Sequence, residues 1–574
     1  MSERQTSFIE YYLSELSRLE AGMGEFAHAY PGSAAGLGIG LDATSDPHVR
    51  LLIEAVSYIA AQLRLEIDRV PGEYAYMLLQ AICPAILRPL PSTAIVQFFP
   101  TAASTSVEGT RLPAALQLSQ QESEGSVRFE VAETSQVWPF TLEAFWDVAQ
   151  DRNHSVDDQS ALVLRLSAHR DINPQTPASL TLFVGGPLEA ALSGVQALLL
   201  DTRLQQIRAT DRSWSRNVDG HLPVGVDLPS SGFFVESDLD EQVQQWLTYP
   251  RSACFVRIEG IARAAPTCSF ELVFSVSKRS RDAIDAVREH IALNCAIVRN
   301  EFSRQTLSLA LDERRSEYRL AEAGQNQHPW DVCSITRVRT VTDGQIEVLQ
   351  QWRPEHVHAQ DHDGWAWTSS RARHVSGDNG TPTALLRFVR GPRAKPRTTA
   401  LVDVRCYQRD LAQTLAAQTV LVTHSWDGRW RARLLFAPSA SREPVFPTDA
   451  GLPDLVGAAL WHAHTDDPLS RRDEIVRFLK MYERHGNPFA LRLIDSLRAM
   501  ERELVALPVQ VADGHIALGM GARYDLWFDE RAAEGGQYLI ARMIGKIFRQ
   551  LNDLDKLVEL RFLRGARQEC LRVI

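Results

Sequence analysis

Leu87-Arg88-Pro89-Leu90-Pro91-Ser92-Thr93-Ala94-Ile95-Val96-Gln97-Phe98 is the stretch on which the reading of the chain turns. Before it, apolar residues recur every three or four positions. After Pro91 they recur every second position, the change from a helical to a strand period.

Upstream, Phe8, Tyr12, Leu16, Leu19, Met23 and Phe26 fall on one helical face, and Tyr30-Pro31-Gly32 stops that helix. A loop with Gly36, Gly38 and Gly40 follows. Asp46 can then cap free N–H groups, and Pro47 suits a first helical position because its missing donor costs nothing there. Val49, Leu52, Val56, Ile59, Leu63 and Ile67 make a nearly heptad seam, suited to packing against another long helix. The pattern predicts a third helix from about Gly72 to Cys83, ending at Pro84. Such helices either close on themselves or present one seam to another chain. Short helices bury little alone. Val49, Leu52, Val56, Ile59 and Leu63, with Tyr12, Leu16 and Leu19, are the candidate partner-interface residues.

Downstream, alternation marks strands at Val127/Phe129/Val131, Leu162/Leu164/Leu166, Leu180/Leu182/Val184, Cys254/Val256/Ile258 and Phe270/Leu272/Phe274/Val276. A helix is predicted over Arg281–His290, and strands resume at Leu307/Leu309/Leu311. Ser376–Pro396 reads as a loop or linker because of Gly377-Asp378-Asn379-Gly380-Thr381-Pro382 and Gly391-Pro392. Beyond Gly451 helices return. Ser470 and Asp473 form a short-acid capping box before Ile475, Phe478, Leu479 and Tyr482, and a last helix carries Ile540, Ile544, Ile547, Leu551 and Leu554. The expected class is α+β and multidomain: a helical N-terminal segment, sandwich- or barrel-like β-rich middle modules, and a mixed α/β C-terminal part. The expected divisions are 1–91, 92–280, 281–450 with its linker near 376–396, and 451–574.

The chain has 574 residues and a formal net charge of −10, which argues against bulk phosphate binding. At about 150 residues per domain, roughly four domains are expected. No apolar stretch reaches the roughly 20 residues of a membrane helix. Met1-Ser2-Glu3-Arg4-Gln5 does not begin a secretory leader, so the expected compartment is the cytosol. Only Lys278, Lys395, Lys480, Lys546 and Lys556 are lysines, so the N-terminal half can hold neither a lysine Schiff base nor a P-loop lysine. Cys83, Cys254, Cys268, Cys295, Cys333, Cys406 and Cys570 show no CxxC spacing and read as buried thiols.

His356, His358, Asp361, His362 and Asp363 form the densest group of potential metal ligands, with His462, His464, Asp466 and Asp467 next. Neither has the spacing of a tetrahedral zinc site, so both read as loops. No P-loop, G-x-S-x-G or H-E-x-x-H occurs, and Gly22-Met23-Gly24 lies in a helical pattern without a preceding strand. No catalytic, metal or cofactor residue is therefore assigned. Arg387, Arg390, Arg393, Lys395 and Arg397 form a basic run that faces water or an acidic protein surface. Basic residues also gather from Arg542 to Arg572, on a charged partner-facing surface or a solvated helix face.

Several blocks share a family pattern. The first reads Tyr11-Tyr12, Glu15-Leu16, Gly24-Glu25-Phe26-Ala27, Tyr30-Pro31, Leu37-Gly38, Asp46-Pro47-His48-Val49 and then the stretch from Leu87 to Phe98. Leu293-Asn294-Cys295, Asn300, Phe302, Ser316-Glu317-Tyr318-Arg319 and Cys406-Tyr407-Gln408-Arg409-Asp410-Leu411 continue it. Gly519-Met520-Gly521, Asp525-Leu526-Trp527-Phe528-Asp529-Glu530 and Glu534-Gly535-Gly536 close it. In this order the blocks resemble the TssF (VasA/ImpG) family, baseplate components of bacterial type VI secretion systems.

The resemblance implies a structural wedge protein with no catalytic residues or cofactor and a fold like that of phage wedge proteins. It implies TssG, TssK, TssE, a second copy of the chain and the VgrG hub as partners, with neither nucleic acid nor direct membrane insertion. It places the chain in the cytoplasm, at a baseplate docked on the inner membrane through other subunits, and leads one to expect a longer arginine- and proline-containing tail. The alternative within this class is a wedge protein of a related contractile injection system. Outside it stand an enzyme with an unrecognised carboxylate or histidine site, and a carbohydrate- or nucleic-acid-binding β module.

Overall fold

The computed structural model describes residues 3–36, 38, 47–101, 109–122, 125–132, 134–147, 159–168, 177, 179–211, 213, 215–217, 226–227, 239–259, 261, 269–312, 314–315, 317–320, 330–342, 345–352, 364–373, 382–391, 394, 396–423, 426, 428, 430–446, 451–459, 468–483, 487–510, 516–529, 535–551, 558–564 and 567–569. The chain forms two compact units.

The first unit holds Met1–Ile82, Arg371–Thr383 and Val445–Gly457. Its helices are α1 (Glu3–Ala29), the short α2 (Pro31–Gly36) and α3 (Pro47–Ile82). The stop at Tyr30 holds, and α2 begins on Pro31. The third predicted helix is not separate: α3 runs unbroken through Pro71 for 36 residues. An internal proline costs about 3 kcal/mol in lost hydrogen bonding and ring clash. Here the apolar spacing stays in phase on both sides of it, from Ile67 and Val70 to Tyr74, so one helix satisfies the whole pattern.

The second unit holds Cys83–Ser370, Ala384–Pro444 and Ala458–Ile574. The switch after Pro91 opens directly into a closed barrel. Its strands, in hydrogen-bonded order, are Thr93–Pro100, Cys295–Arg299, Gly125–Val131, Gln117–Glu122, Val420–Thr423 and Trp430–Leu434, and the last pairs back onto the first. Alternate residues fill the interior: Val96, Phe98, Leu118, Phe129, Trp430 and Leu434 are all buried. Trp426 meets Phe98 edge-on at 5.6 Å, a geometry that aligns ring edge with ring face. The barrel takes strands from both β-rich stretches that the sequence pattern sets apart.

Asn294 turns the chain from one sheet into another. Ile291–Leu293 ends a four-stranded sheet, Cys295–Arg299 belongs to the barrel, and Asn294 between them has φ 60°. Asparagine is among the few residues that adopt this left-handed conformation readily. Its side chain is locked there: Oδ1 accepts from the Trp138 N–H and Nδ2 donates to the Trp138 carbonyl, both at 2.8 Å.

A seven-stranded sheet includes Glu301–Ala310, Thr399–Tyr407 and Asp331–Thr342. Pro382–Arg390 is one of its strands, inside the stretch predicted as a linker, and Leu386 is fully buried. The flanking glycines and prolines masked the apolar run Ala384-Leu385-Leu386. A five-stranded sheet is centred on Ser269–Ser277. The predicted helix over Arg281–His290 is Lys278–Asp285 followed by a 3-10 turn at Arg288–His290.

Charges tie strands together from within. Arg405 donates to Glu130 at 3.0 Å and Glu301 at 2.6 Å. Asn300 donates to the Arg128 carbonyl and to Gln408. Near the C-terminus, helices Pro468–Tyr482 and Pro488–Asp495 precede a ribbon of Leu497–Gln510 and Ile516–Phe528. Helix Gln537–Leu551 then crosses to Val558–Arg564, which pairs parallel to Ile516–Phe528 as a β-α-β connection must. Tyr524 and Phe548 stack at 4.1 Å between strand and crossover helix. These helices, sheets and barrel give the α+β class that the sequence pattern predicts. Among the described residues no helix is long and apolar enough to cross a membrane.

Candidate partner interface

α3 carries two faces of different chemistry. One packs on α1: the Phe8 and Tyr58 rings meet edge-on at 5.3 Å, Tyr11 donates its hydroxyl to Asp68 at 2.7 Å, and Arg64 donates to Glu15 at 2.5 Å. Glu15, Ala27, Ser57 and Ala61 are buried. The bond to Asp68 holds the Tyr11 phenol above its ordinary pKa, since it favours the protonated form. The hydrogen bond to Glu15 does the same for the charged Arg64 guanidinium.

The other face is apolar and open. Leu52, Val56, Ile59, Leu63 and Ile67 are 51–65% exposed. At about 100° per residue, they lie within roughly 60° of one direction, while Ser57, Ala61, Arg64 and Asp68 lie within roughly 60° of the opposite one. The exposed stripe therefore points away from α1. It continues through Val70, Tyr74 and Met77, all exposed, over roughly 38 Å of helix at 1.5 Å per residue. Monomeric proteins rarely leave so long an apolar stripe uncovered.

The candidate residues thus separate into two groups. Leu52, Val56, Ile59 and Leu63 share the open stripe, with Val49 half-buried at its N-terminal end. Tyr12, Leu16 and Leu19 are half-buried on α1, on a different helix from the stripe. The sequence reading missed Val70, Tyr74 and Met77. Their signal was the unbroken spacing of three and four, which the proline obscured.

Several described residues of the two basic runs make internal contacts. Arg387 pairs with Glu317 at 2.6 Å, Arg390 lies 4.9 Å from the Trp365 ring centre, and Arg397 pairs with Glu347. At the C-terminal basic run, Arg542 donates to Tyr538 and Lys546 sits over the Trp246 ring. Cys83, Cys254, Cys295, Cys333 and Cys406 are buried thiols that form no disulfide. Burial pushes the Cys254 thiol up to about 12 and raises Cys295 further, away from the thiolate that reacts. Among the described residues no three His, Cys, Asp or Glu side chains gather as a metal site. His356, His358, Asp361, His362, Asp363, His462, His464, Asp466, Asp467, Cys268, Cys570, Arg393, Lys395, Asp46 and Leu554 lie outside the described residues.

A family model described as "Type VI secretion system, TssF" matches residues 4–573. The chain belongs to the TssF family. The type VI secretion system component TssF1 of Pseudomonas aeruginosa is 23% identical, over 98% of this chain and 97% of that protein. The fold is that of a chain in a type VI TssK-TssF-TssG baseplate subcomplex solved by cryo-electron microscopy. That match has a TM-score of 0.72 at 15% identity and covers 92% of this chain and 98% of the other. A chain in a baseplate complex from the type VI secretion system matches with a TM-score of 0.56 at 16% identity, over 99% and 98%. As a TssF protein, the chain is a baseplate component of this secretion machinery.

Proposed function

We propose that this TssF protein is a non-catalytic wedge of the baseplate whose α3 stripe is covered by TssG. The observation that carries the reading is the apolar face of α3, turned away from α1 and exposed along its length. Burying a large apolar side chain contributes roughly 1.5–3 kcal/mol. Leu52, Val56, Ile59, Leu63 and Ile67 are only 51–65% exposed to begin with, so covering them supplies roughly 4–9 kcal/mol, against an association cost of about 4–15 kcal/mol. A stable complex thus needs most of the stripe at once, the behaviour of an obligate interface of more than about 2,000 Å².

Tyr12, Leu16 and Leu19, half-buried on α1, add contact area at the margin of this interface. TssK joins through the same wedge. TssE, a second copy of the chain and the VgrG hub complete the assembly, and the baseplate docks at the cytoplasmic side of the inner membrane through other subunits. The related TssK-TssF-TssG subcomplex supports TssG and TssK as the first partners to test.

The test is co-purification with TssG. Val56→Asp with Ile59→Asp places two charges mid-stripe without touching the α1-facing residues. Wild-type protein should retain TssG and the double variant, folded by circular dichroism, should lose it. Retention of TssG by the folded variant would overturn the reading.

A further inference from the structure

A recess in the second unit has the build of a ligand site. It lies where the segment from Ala85 to Thr93 meets residues 439–442 and the end of helix Leu239–Thr248, and its cavity volume is about 100 Å³. Its walls are held in advance. Leu90 and Arg442 exchange two backbone hydrogen bonds, at 3.0 and 2.8 Å. The Ser439 N–H donates to the Thr93 carbonyl, the Thr93 N–H to Ser439 Oγ, and Ser92 Oγ to the Ser439 carbonyl.

The lining favours an anion. Arg88, Arg299 and Arg442 are its three cations and Glu301 its one carboxylate, which Arg405 already holds at 2.6 Å. Among the described residues Arg88 and Arg442 have no side-chain hydrogen bond or ion pair. Three side chains of the helix end are also incompletely partnered. Gln244 and Gln245 are 94% buried, and Gln244 Oε1, Gln245 Nε2 and the Tyr249 hydroxyl have no hydrogen-bond partner. Gln245 Oε1 accepts from Arg299 at 2.5 Å, so its free NH₂ is fixed in orientation. A half-turn of the Gln244 amide presents its own NH₂ in place of the oxygen. Buried polar groups are paired in nearly all native structures, so such a cluster beside a recess points to an absent polar partner, which is an acceptor once the Gln244 amide is turned.

We infer that this recess binds a small oxyanion-bearing ligand, a phosphate or a polycarboxylate. Arg88 and Arg442 supply the charge, and Tyr249 with the two glutamines supplies neutral donors. Burial holds the Tyr249 phenol far above its ordinary pKa, so it remains a donor at neutral pH. The ligand bridges the 85–93 segment, the 439–442 segment and the helix end, and its binding stabilises the native chain by mass action.

The experiment is isothermal titration calorimetry, with thermal unfolding in parallel, on the full chain. The probes are inorganic phosphate and citrate, against chloride at equal ionic strength. One site per chain is expected for at least one probe, with a raised Tm; preference for one probe identifies the ligand as phosphate or carboxylate. Losing one charge-assisted hydrogen bond corresponds to a roughly 10- to 100-fold weaker Kd, the shift expected for Arg442→Gln and, separately, for Arg88→Gln. Arg88 is exposed, so its variant remains informative if Arg442→Gln misfolds. Two results would overturn the inference. One is no saturable binding of either probe beyond chloride up to about 10 mM, a range that reaches past a millimolar Kd. The other is unchanged affinity in folded Arg88→Gln.

Discussion

In the barrel, Val96, Phe98, Leu118 and Trp430 turn inward, and every strand has two neighbours. In α3, Leu52, Val56, Ile59 and Leu63 repeat just as regularly and turn outward. A regular apolar period fixes an element's type and its sticky face. It does not say whether that face closes within the chain, and exposure in the folded chain separates the two cases.

The contrast can be broken first at the barrel. Trp430→Ala removes a fully buried ring and should destabilise the second unit by about 3–5 kcal/mol, read as a lower urea midpoint at unchanged slope. Next comes the charge bridge. Arg405→Ala strands Glu130 and Glu301 and should cost about 2–3 kcal/mol, the low side for a broken buried pair because Arg405 is 30% exposed. On α3 the expectation inverts: Ile59→Asp should change the unfolding free energy of the isolated chain, read from the urea midpoint and slope, by no more than about 0.5 kcal/mol while costing TssG binding.

The smallest effect tests the face that α3 does bury. The Tyr11 phenol is raised by its bond to Asp68, so the folded state holds its proton more tightly than the unfolded state. Its contribution is full below the ordinary tyrosine value of about 10 and fades as pH rises through the higher folded value. Helical content of the chain should fall slightly more between about pH 9 and 11 in wild type than in Tyr11→Phe, which has no phenol to ionise. Identical profiles would detach Tyr11 from the packing of α1 on α3.

Element types were legible where apolar and polar residues alternate in the sequence. Val127/Phe129/Val131 and Phe270/Leu272/Phe274/Val276 alternate plainly, and each lies in a strand. Helix Leu188–Leu200 was not read, because Ala191, Leu192, Val195, Ala197 and Leu198 are all buried and leave no polar side to mark a period. Barrel closure was hidden for another reason: alternation assigns a residue to a face but never names the neighbouring strand. Within α3, a local penalty at Pro71 outweighed a longer pattern in the reading but not in the fold. The stripe was legible as far as Ile67. The recess at Arg442 had no signal at all, since it joins segments far apart in the chain.

Arg433 donates to Gln97 across 336 residues, at the seam where the last barrel strand meets the first. Ribosomes add about 5–20 residues each second, so the first barrel strand emerges roughly 20–70 s before its closing partner exists. During that interval one edge of Thr93–Pro100 is an unpaired template for any passing strand. The N-terminal helices are complete long before then, so a partner can meet α3 while the barrel is still open. Assembly order can thus be set by the clock of synthesis.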